Sequence, residues 1–182
     1  TIGDHAIALM YALVRGIDIA HSNQVEGVWT RASVDSVRGF GELSGRTMLV
    51  VGLGGIGTQV AKRAHALGMR VIATRGSRRE GPDYVGYVGL APEAITLAKE
   101  ADVVVNAAPL TSTTKGMFDE AFFTAMKPGA YFINVGRGES AITDDLITAL
   151  NEGQIAGAGL DVTDPEPLPP EHPLWGTPRV LI

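Results

Sequence analysis

The stretch "VVGLGGIGTQVAKRAHALGMRVIATRGSRR", residues 50–79, constrains the fold of this chain more than any other. Gly52, Gly54 and Gly57 follow a short apolar run and precede a segment with helical spacing of its apolar residues. GxGxxG therefore stands in the strand–turn–helix context that gives the pattern its meaning. Gly52 permits a tight turn, Gly54 lets a pyrophosphate approach the backbone, and Gly57 lets the helix pack close on the strand. The N–H groups of Gly55 and Ile56 then face the phosphates at the positive end of the helix. The expectation is a dinucleotide site; a glycine-rich turn without a ligand is the alternative.

Apolar runs alternate with helical patterns along the rest of the chain. Strands are expected at 47–51, 70–73, 102–106, 130–135 and 155–162, and helices at 56–67, 93–99, 119–126 and 143–150. Short unbroken apolar strands separated by helices predict an α/β, doubly wound parallel sheet covered on both faces, a Rossmann-type domain at residues 45–182. Residues 1–44 form a leading helix and connector. Ile2, Ala6, Leu9, Met10, Leu13, Val14 and Ile17 make an apolar stripe, with Thr1 and Asp4 as a capping box. Residues 22–44 are polar and glycine-bearing, with Trp29 as their expected anchor. Six of the ten prolines fall in residues 163–178, which predicts an extended segment.

The second strand of the turn motif ends at Thr74 and Arg75, followed by Gly76, Ser77, Arg78 and Arg79. NAD-binding versions of the motif place an acid about 20 residues beyond the turn for the ribose 2′-OH. A carboxylate repels a 2′-phosphate, whereas Arg75, Ser77 and Arg78 can donate charge-assisted hydrogen bonds to one. NADP(H) is therefore expected over NAD(H), which stays open as the alternative, as does a merely solvated basic loop.

The net charge of −5 gives no global pull toward nucleic acid, so this basic patch needs a local purpose. With no cysteine, disulfides, thiolate metal sites and a cysteine nucleophile are excluded, and the composition suits a reducing cytoplasm. No metal site is expected, because His5, His21 and His65 lack ligand spacing. No apolar run approaches a membrane span. The chain begins at Thr1 and stops within the run Val180, Leu181 and Ile182, so it reads as a piece of something longer.

From the opening helix through "ELSGRTMLVVGLGGIG", "APLTSTTKGMF", "MKPGAYFINVGRGESAITDDLITALNEGQIAGAGLDV" and "DPEPLPPEHPLW", the chain resembles the nucleotide-binding domain of the D-2-hydroxyacid dehydrogenase family. Its basic turn is similar to that of NADPH-preferring glyoxylate and hydroxypyruvate reductases. The resemblance implies an oxidoreductase acting on a small 2-oxo acid or 2-hydroxy acid, with a substrate domain absent here, and a homodimer formed through the nucleotide domain. The opening stripe is expected to be covered by that second chain.

The same resemblance implies catalytic roles for Arg137, in the N-x-x-R-G loop beginning at Asn134, and Glu166, in an E-P pair. The family's histidine lies beyond Trp175, in a P-H pair just past Ile182, so His172 is not taken as the acid. The resemblance further implies cofactor contacts at Ala108, Thr114, Val135, Gly136 and Asp161, the last to the nicotinamide carboxamide. Two positions depart from the pattern. Gly55 stands where an arginine often supports the pyrophosphate, and Ala108 replaces a frequent polar residue. The chemistry fits these residue types: negative charge developing on a carbonyl oxygen wants a fixed cation, which Arg137 supplies, and a proton donor. A nucleotide-sensing regulator on the same scaffold is the competing class, and the joint presence of Arg137 and Glu166 favours the enzyme.

Overall fold

Every residue of β1 (Thr47–Val51) is buried. Neighbouring side chains of a strand point to opposite faces, so the sheet must be covered on both sides there. The computed structural model describes residues 1–29 and 41–182 and shows how this is done. The helices are α1 (Ile2–Val14), α2 (Ile17–Val25), α3 (Gly55–Ala66), α4 (Ala94–Ala98), α5 (Glu120–Ala125) and α6 (Thr143–Asn151). With β1 stand β2 (Arg70–Arg75), β3 (Tyr87–Leu90), β4 (Val103–Asn106), β5 (Tyr131–Asn134), β6 (Gly157–Leu160) and β7 (Val180–Leu181). The strands form one parallel sheet in the order β3-β2-β1-β4-β5-β6-β7. This is the expected doubly wound α/β fold. The order reverses between β1 and β4, which opens a crevice at their carboxyl ends.

The two faces have separate cores. Met48 and Val50 of β1 join Val60, Ala61 and Ala64 of α3 with Leu9, Met10 and Leu13 of α1. Leu49 and Val51 face the other way, toward Leu97, Leu146 and the ring cluster of Phe118, Phe122, Phe123 and Phe132. Phe118 meets Phe122 edge-on at 4.8 Å between ring centres, and Phe123 meets Phe132 likewise at 5.4 Å.

The expectation that α1 is covered by a second chain is corrected. Its stripe lies on its own sheet, with Ala6, Leu9, Met10, Leu13 and Val14 all buried. The signal lay in the small residues of β6: a Cβ on Gly159 would stand 2.9 Å from Leu9 Cβ, and one on Gly157 would stand 3.2 Å from Leu13 Cδ2. Glycines there let the helix settle close. Ile17 is not part of the stripe, because Gly16 adopts a left-handed conformation at φ 61° and a second helix begins after it. The capping box of Thr1 and Asp4 is present, and Asp4 also takes the Arg63 guanidinium at 2.6 Å, tying α1 to α3.

Three further expectations change. Trp29 is fully exposed and anchors nothing among the described residues; the rest of the expected connector, 30–40, lies outside them. α2 takes up residues 22–25 of the expected connector and buries none of its own residues. The proline-rich segment, expected to be extended, runs instead through bends and turns, and Pro173–Gly176 closes a short 3-10 turn whose N-cap is His172, with Nδ1 accepting from the Leu174 N–H.

If α1 belongs to this domain's core, Leu13→Ala is expected to cost about 2–5 kcal/mol in denaturant unfolding. Ile17→Ala, at an exposed position, is expected to change stability by no more than about 0.5 kcal/mol. Equal effects, or a Leu13→Ala cost that varies with protein concentration, would contradict the packing described.

Candidate functional site

The crevice at the switch point is built by glycine. Gly52 leaves β1 at φ 94°, and a Cβ there would lie 2.6 Å from the Ala108 backbone. One on Gly57 would lie 2.1 Å from the Gly52 carbonyl oxygen. Both positions therefore demand glycine for the fold itself. Gly54 and Gly55 do not: a Cβ on either meets nothing within 4 Å, because both face the open crevice. The first helical hydrogen bond of the turn runs from Thr58 N–H to the Gly54 carbonyl. The N–H groups of Gly55, Ile56 and Gly57 precede that ladder, at the positive end of α3.

The crevice holds about 560 Å³. Gly52, Gly54 and Gly55 form one wall, and Arg75, Ser77 and Arg78 another, so these expected cofactor residues come together. Among the described residues Leu53, Thr58, Gln59, Gly76, Ala107 and Pro109 also line it, and sequence reasoning assigned a cofactor contact to none of these. Among the described residues no carboxylate lines it. Arg75 is half-buried, and its Nε is buried without a hydrogen-bond partner among the described residues. A buried donor left without a partner is costly, so this one suits a ligand acceptor.

Arg79 is used differently. Its guanidinium forks onto Glu93, Nη2 at 2.7 Å from Oε1 and Nη1 at 3.1 Å from Oε2, and also donates to Tyr87 Oη at 2.9 Å. Tyr87 Oη donates to Glu93 Oε2 at 2.6 Å and Leu90 N–H to Oε1 at 2.8 Å. These donors, Arg79 foremost, lower the Glu93 pKa to about 2. Of Arg75 at the end of β2 and Arg78 and Arg79 after it, Arg75 and Arg78 line the crevice and Arg79 does not.

The remaining expected residues follow along the carboxyl edge. Ala108 is buried, its N–H donating to Asn106 Oδ1 at 3.0 Å. Thr114 is buried away from the crevice lining: its hydroxyl donates to the Pro109 carbonyl and accepts from Thr111 N–H, each at 2.7 Å, closing the loop after β4. Val135 and Gly136 are buried after β5. A Cβ on Gly136 would lie 2.8 Å from the Ala108 carbonyl oxygen, and one on Gly138 would lie 1.9 Å from that of Thr163. Arg137 stands exposed between these two close approaches, with Nη1 donating to the Gly136 carbonyl at 2.7 Å. Glu166 is exposed in the segment beyond Thr163. Asp161 directly follows β6 and pairs with His5 Nε2 of α1 at 3.3 Å, a contact that neither residue's sequence context signals.

Beneath these loops lies a buried polar cluster. Asn106 Nδ2 donates to Asn134 Oδ1 at 2.8 Å and to Ser140 Oγ at 2.7 Å. Asn134 Oδ1 also accepts from Gly136 N–H, and its Nδ2 donates to the Arg137 carbonyl. The two asparagines are register partners at the ends of β4 and β5.

Residues 7–182 match the family model "D-isomer specific 2-hydroxyacid dehydrogenase, NAD binding domain". The chain belongs to this family. It is 38% identical over 169 residues to a mouse (Mus musculus) glyoxylate reductase/hydroxypyruvate reductase, covering 93% of this chain and 51% of that protein. A probable 2-hydroxyacid dehydrogenase from Rhizobium etli, solved with NADP, HEPES and L(+)-tartaric acid, superposes with a TM-score of 0.88 at 28% identity over all of this chain and 56% of that one. An NAD-dependent formate dehydrogenase from Staphylococcus aureus, solved with NAD, gives 0.89 at 27% identity over 98% and 53% of the two chains. The chain spans about half the length of the curated relatives it matches. Among the described residues no helix is long and apolar enough to cross a membrane, and no group of three metal-ligating side chains is present.

The glycines make opposing predictions. Gly57→Ala is expected to destabilise the fold by about 1–3 kcal/mol through overpacking. Gly54→Ala, whose φ of −89° suits alanine, is expected to leave unfolding within about 1 kcal/mol of wild type, while weakening dinucleotide binding. Thermal melts and cofactor titrations of both variants separate the two roles.

Proposed function

We propose that this domain binds NADP(H) in the switch-point crevice, and that the protein containing it is an oxidoreductase reducing a small 2-oxo acid of the glyoxylate or hydroxypyruvate kind. The observation that carries the cofactor reading is the crevice wall of Arg75, Ser77 and Arg78, with, among the described residues, an unpartnered Arg75 Nε and no acid lining the crevice. A ribose 2′-phosphate supplies the acceptors these donors lack, and a ribose hydroxyl does not need two guanidinium groups. The pyrophosphate is assigned to the N–H groups of Gly55 and Ile56, which precede the α3 hydrogen-bond ladder. The similarity to proteins named glyoxylate reductase supports the substrate class.

The cofactor, when bound, supplies the hydride. The chain's own residues then have separable tasks. Arg137 presents a permanently charged fork that can hold a substrate carboxylate and the carbonyl oxygen on which charge develops. Its backbone is held on both sides by the close approaches of Gly136 and Gly138, so the fork has a fixed base. Glu166 is assigned to orienting the histidine acid that the family pattern places after the last strand. Asp161, at the end of β6, is assigned to the nicotinamide carboxamide, with His5 holding its other flank. Homodimer formation remains part of the proposal, with the exposed apolar residues of α2, Val28 and Trp29 in place of α1 as the candidate surface.

Arg75→Asp is expected to weaken NADPH binding by roughly 1.5–3 kcal/mol, the value of a charge-assisted bond, and to spare or improve NADH. Titration of both cofactors against wild type and variant checks it, and equal wild-type affinities for NADPH and NADH would sink the cofactor reading. In the enzyme, Arg137→Lys keeps the charge but loses the fork; turnover is expected to fall by about 10²-fold or more, with cofactor affinity unchanged.

A further inference from the structure

The loop that carries Ser77 and Arg78 leaves the sheet at Arg75 and rejoins it at Tyr87, and two side-chain clasps hold it down. Tyr84 stacks on His65 of α3, with ring centres 5.5 Å apart. Arg79 forks onto Glu93, and that carboxylate also takes Tyr87 Oη–H and the Leu90 N–H. Glu93 thus gathers donors from the loop and from both ends of β3. Arg78 lines the crevice and is the immediate neighbour of Arg79. Fixing one residue's side chain on the sheet restricts where its neighbour's main chain can stand.

We propose that Glu93 is a positioning residue for cofactor choice: by clamping Arg79 it fixes the main chain at residues 76–79 so that Ser77 and Arg78 face the crevice, and it thereby sets the preference for a 2′-phosphorylated dinucleotide. The proposal rests on the NADP(H) reading above. Two features favour clamping over direct phosphate binding by Arg79. The Arg79 charge is already compensated by a forked carboxylate, and Arg79 does not line the crevice although its two basic predecessors do. A glutamate is ionised throughout the physiological range at its ordinary pKa, and the donors around Glu93, Arg79 foremost, lower that pKa further. A loop ordered before binding spares the ligand the cost of immobilising it, and only a ligand that reaches Ser77 and Arg78 gains from that order. NADH, which lacks the 2′-phosphate, offers them no charged acceptor.

The experiment titrates NADPH and NADH against wild type, Glu93→Gln, Arg79→Lys and the double variant, with thermal melts alongside. The wild-type arm comes first: no preference for NADPH there defeats the cofactor reading itself and this proposal with it. Given a preference, each single variant is expected to weaken NADPH about three- to tenfold and to change NADH by less than about twofold. The double variant is expected to be no worse than the more damaging single, because both residues serve one clasp. A Glu93→Gln protein that keeps the wild-type NADPH-to-NADH ratio overturns the proposal, whether or not its melting temperature falls. So does one that binds NADPH more tightly, since that would make Arg79 a phosphate ligand that Glu93 restrains. Arg79→Lys, which keeps charge and loses the fork, guards against reading a misfolded Glu93 variant as support.

Discussion

The hydrogen bond between the side chains of Asn106 and Asn134 holds together what the site is made of. Both asparagines end buried strands, where a polar group must be paired or exact a desolvation penalty. Asn106 satisfies its amide through Asn134, Ser140 and the Ala108 N–H; Asn134 satisfies its own through Asn106, the Gly136 N–H and the Arg137 carbonyl. Each loop leaving β4 and β5 is thereby bonded to the strand ends beneath it. The cluster works as a unit, because removing one amide leaves several buried donors and acceptors without partners.

Above that cluster the loops touch backbone to backbone. Gly52 meets Ala108, Gly136 meets Ala108 from the other side, and Gly138 meets Thr163. Loops from β1, β4, β5 and β6 are therefore packed in a row along the carboxyl edge, with a glycine at every junction where a side chain would wedge them apart. The crevice opens at one end of this row, beside the N-terminus of α3, and Arg137 stands toward the other. An acidic chain of net charge −5 thus concentrates local positive potential in one place: helix N–H groups on one wall, Arg75 and Arg78 on the next.

Much of this was legible in the sequence because the determinants are local. The GxGxxG turn, the apolar strands and the acid-free end of β2 each announce themselves within a few residues, and the crevice brings Arg75, Ser77 and Arg78 to the glycines as their spacing implied. Most of the failures are non-local. The α1 stripe is real, but what covers it depends on Gly157 and Gly159, far away in the chain and unremarkable as sequence. β3 is four residues with a glycine inside, too short to show a period. Arg79 looks equivalent to Arg78 until Glu93 is seen beside it. The Asn106–Asn134 pair and the His5–Asp161 contact arise from strand register and helix docking, which no local pattern encodes. Trp29 misled for a related reason: a large aromatic in a polar stretch suggests burial, yet nothing in the described chain reaches it.

The distribution of charge along the carboxyl edge separates two kinds of preparation. On the crevice side the α3 N–H groups are already fixed by the turn glycines and Arg75 by the end of β2, with Arg78 on the same wall. On the far side Arg137 bonds to its own preceding carbonyl and Glu166 makes no ion pair among the described residues, both open to water. In water such charges carry little energy and cost nothing to leave unpaired; once covered, the same charges interact far more strongly. Under the proposed function, nucleotide recognition is therefore built into the domain as it stands. The reaction groups gain their strength only when substrate and the covering part of the protein exclude solvent from them, so cofactor affinity and turnover are expected to respond to different residues of one continuous edge.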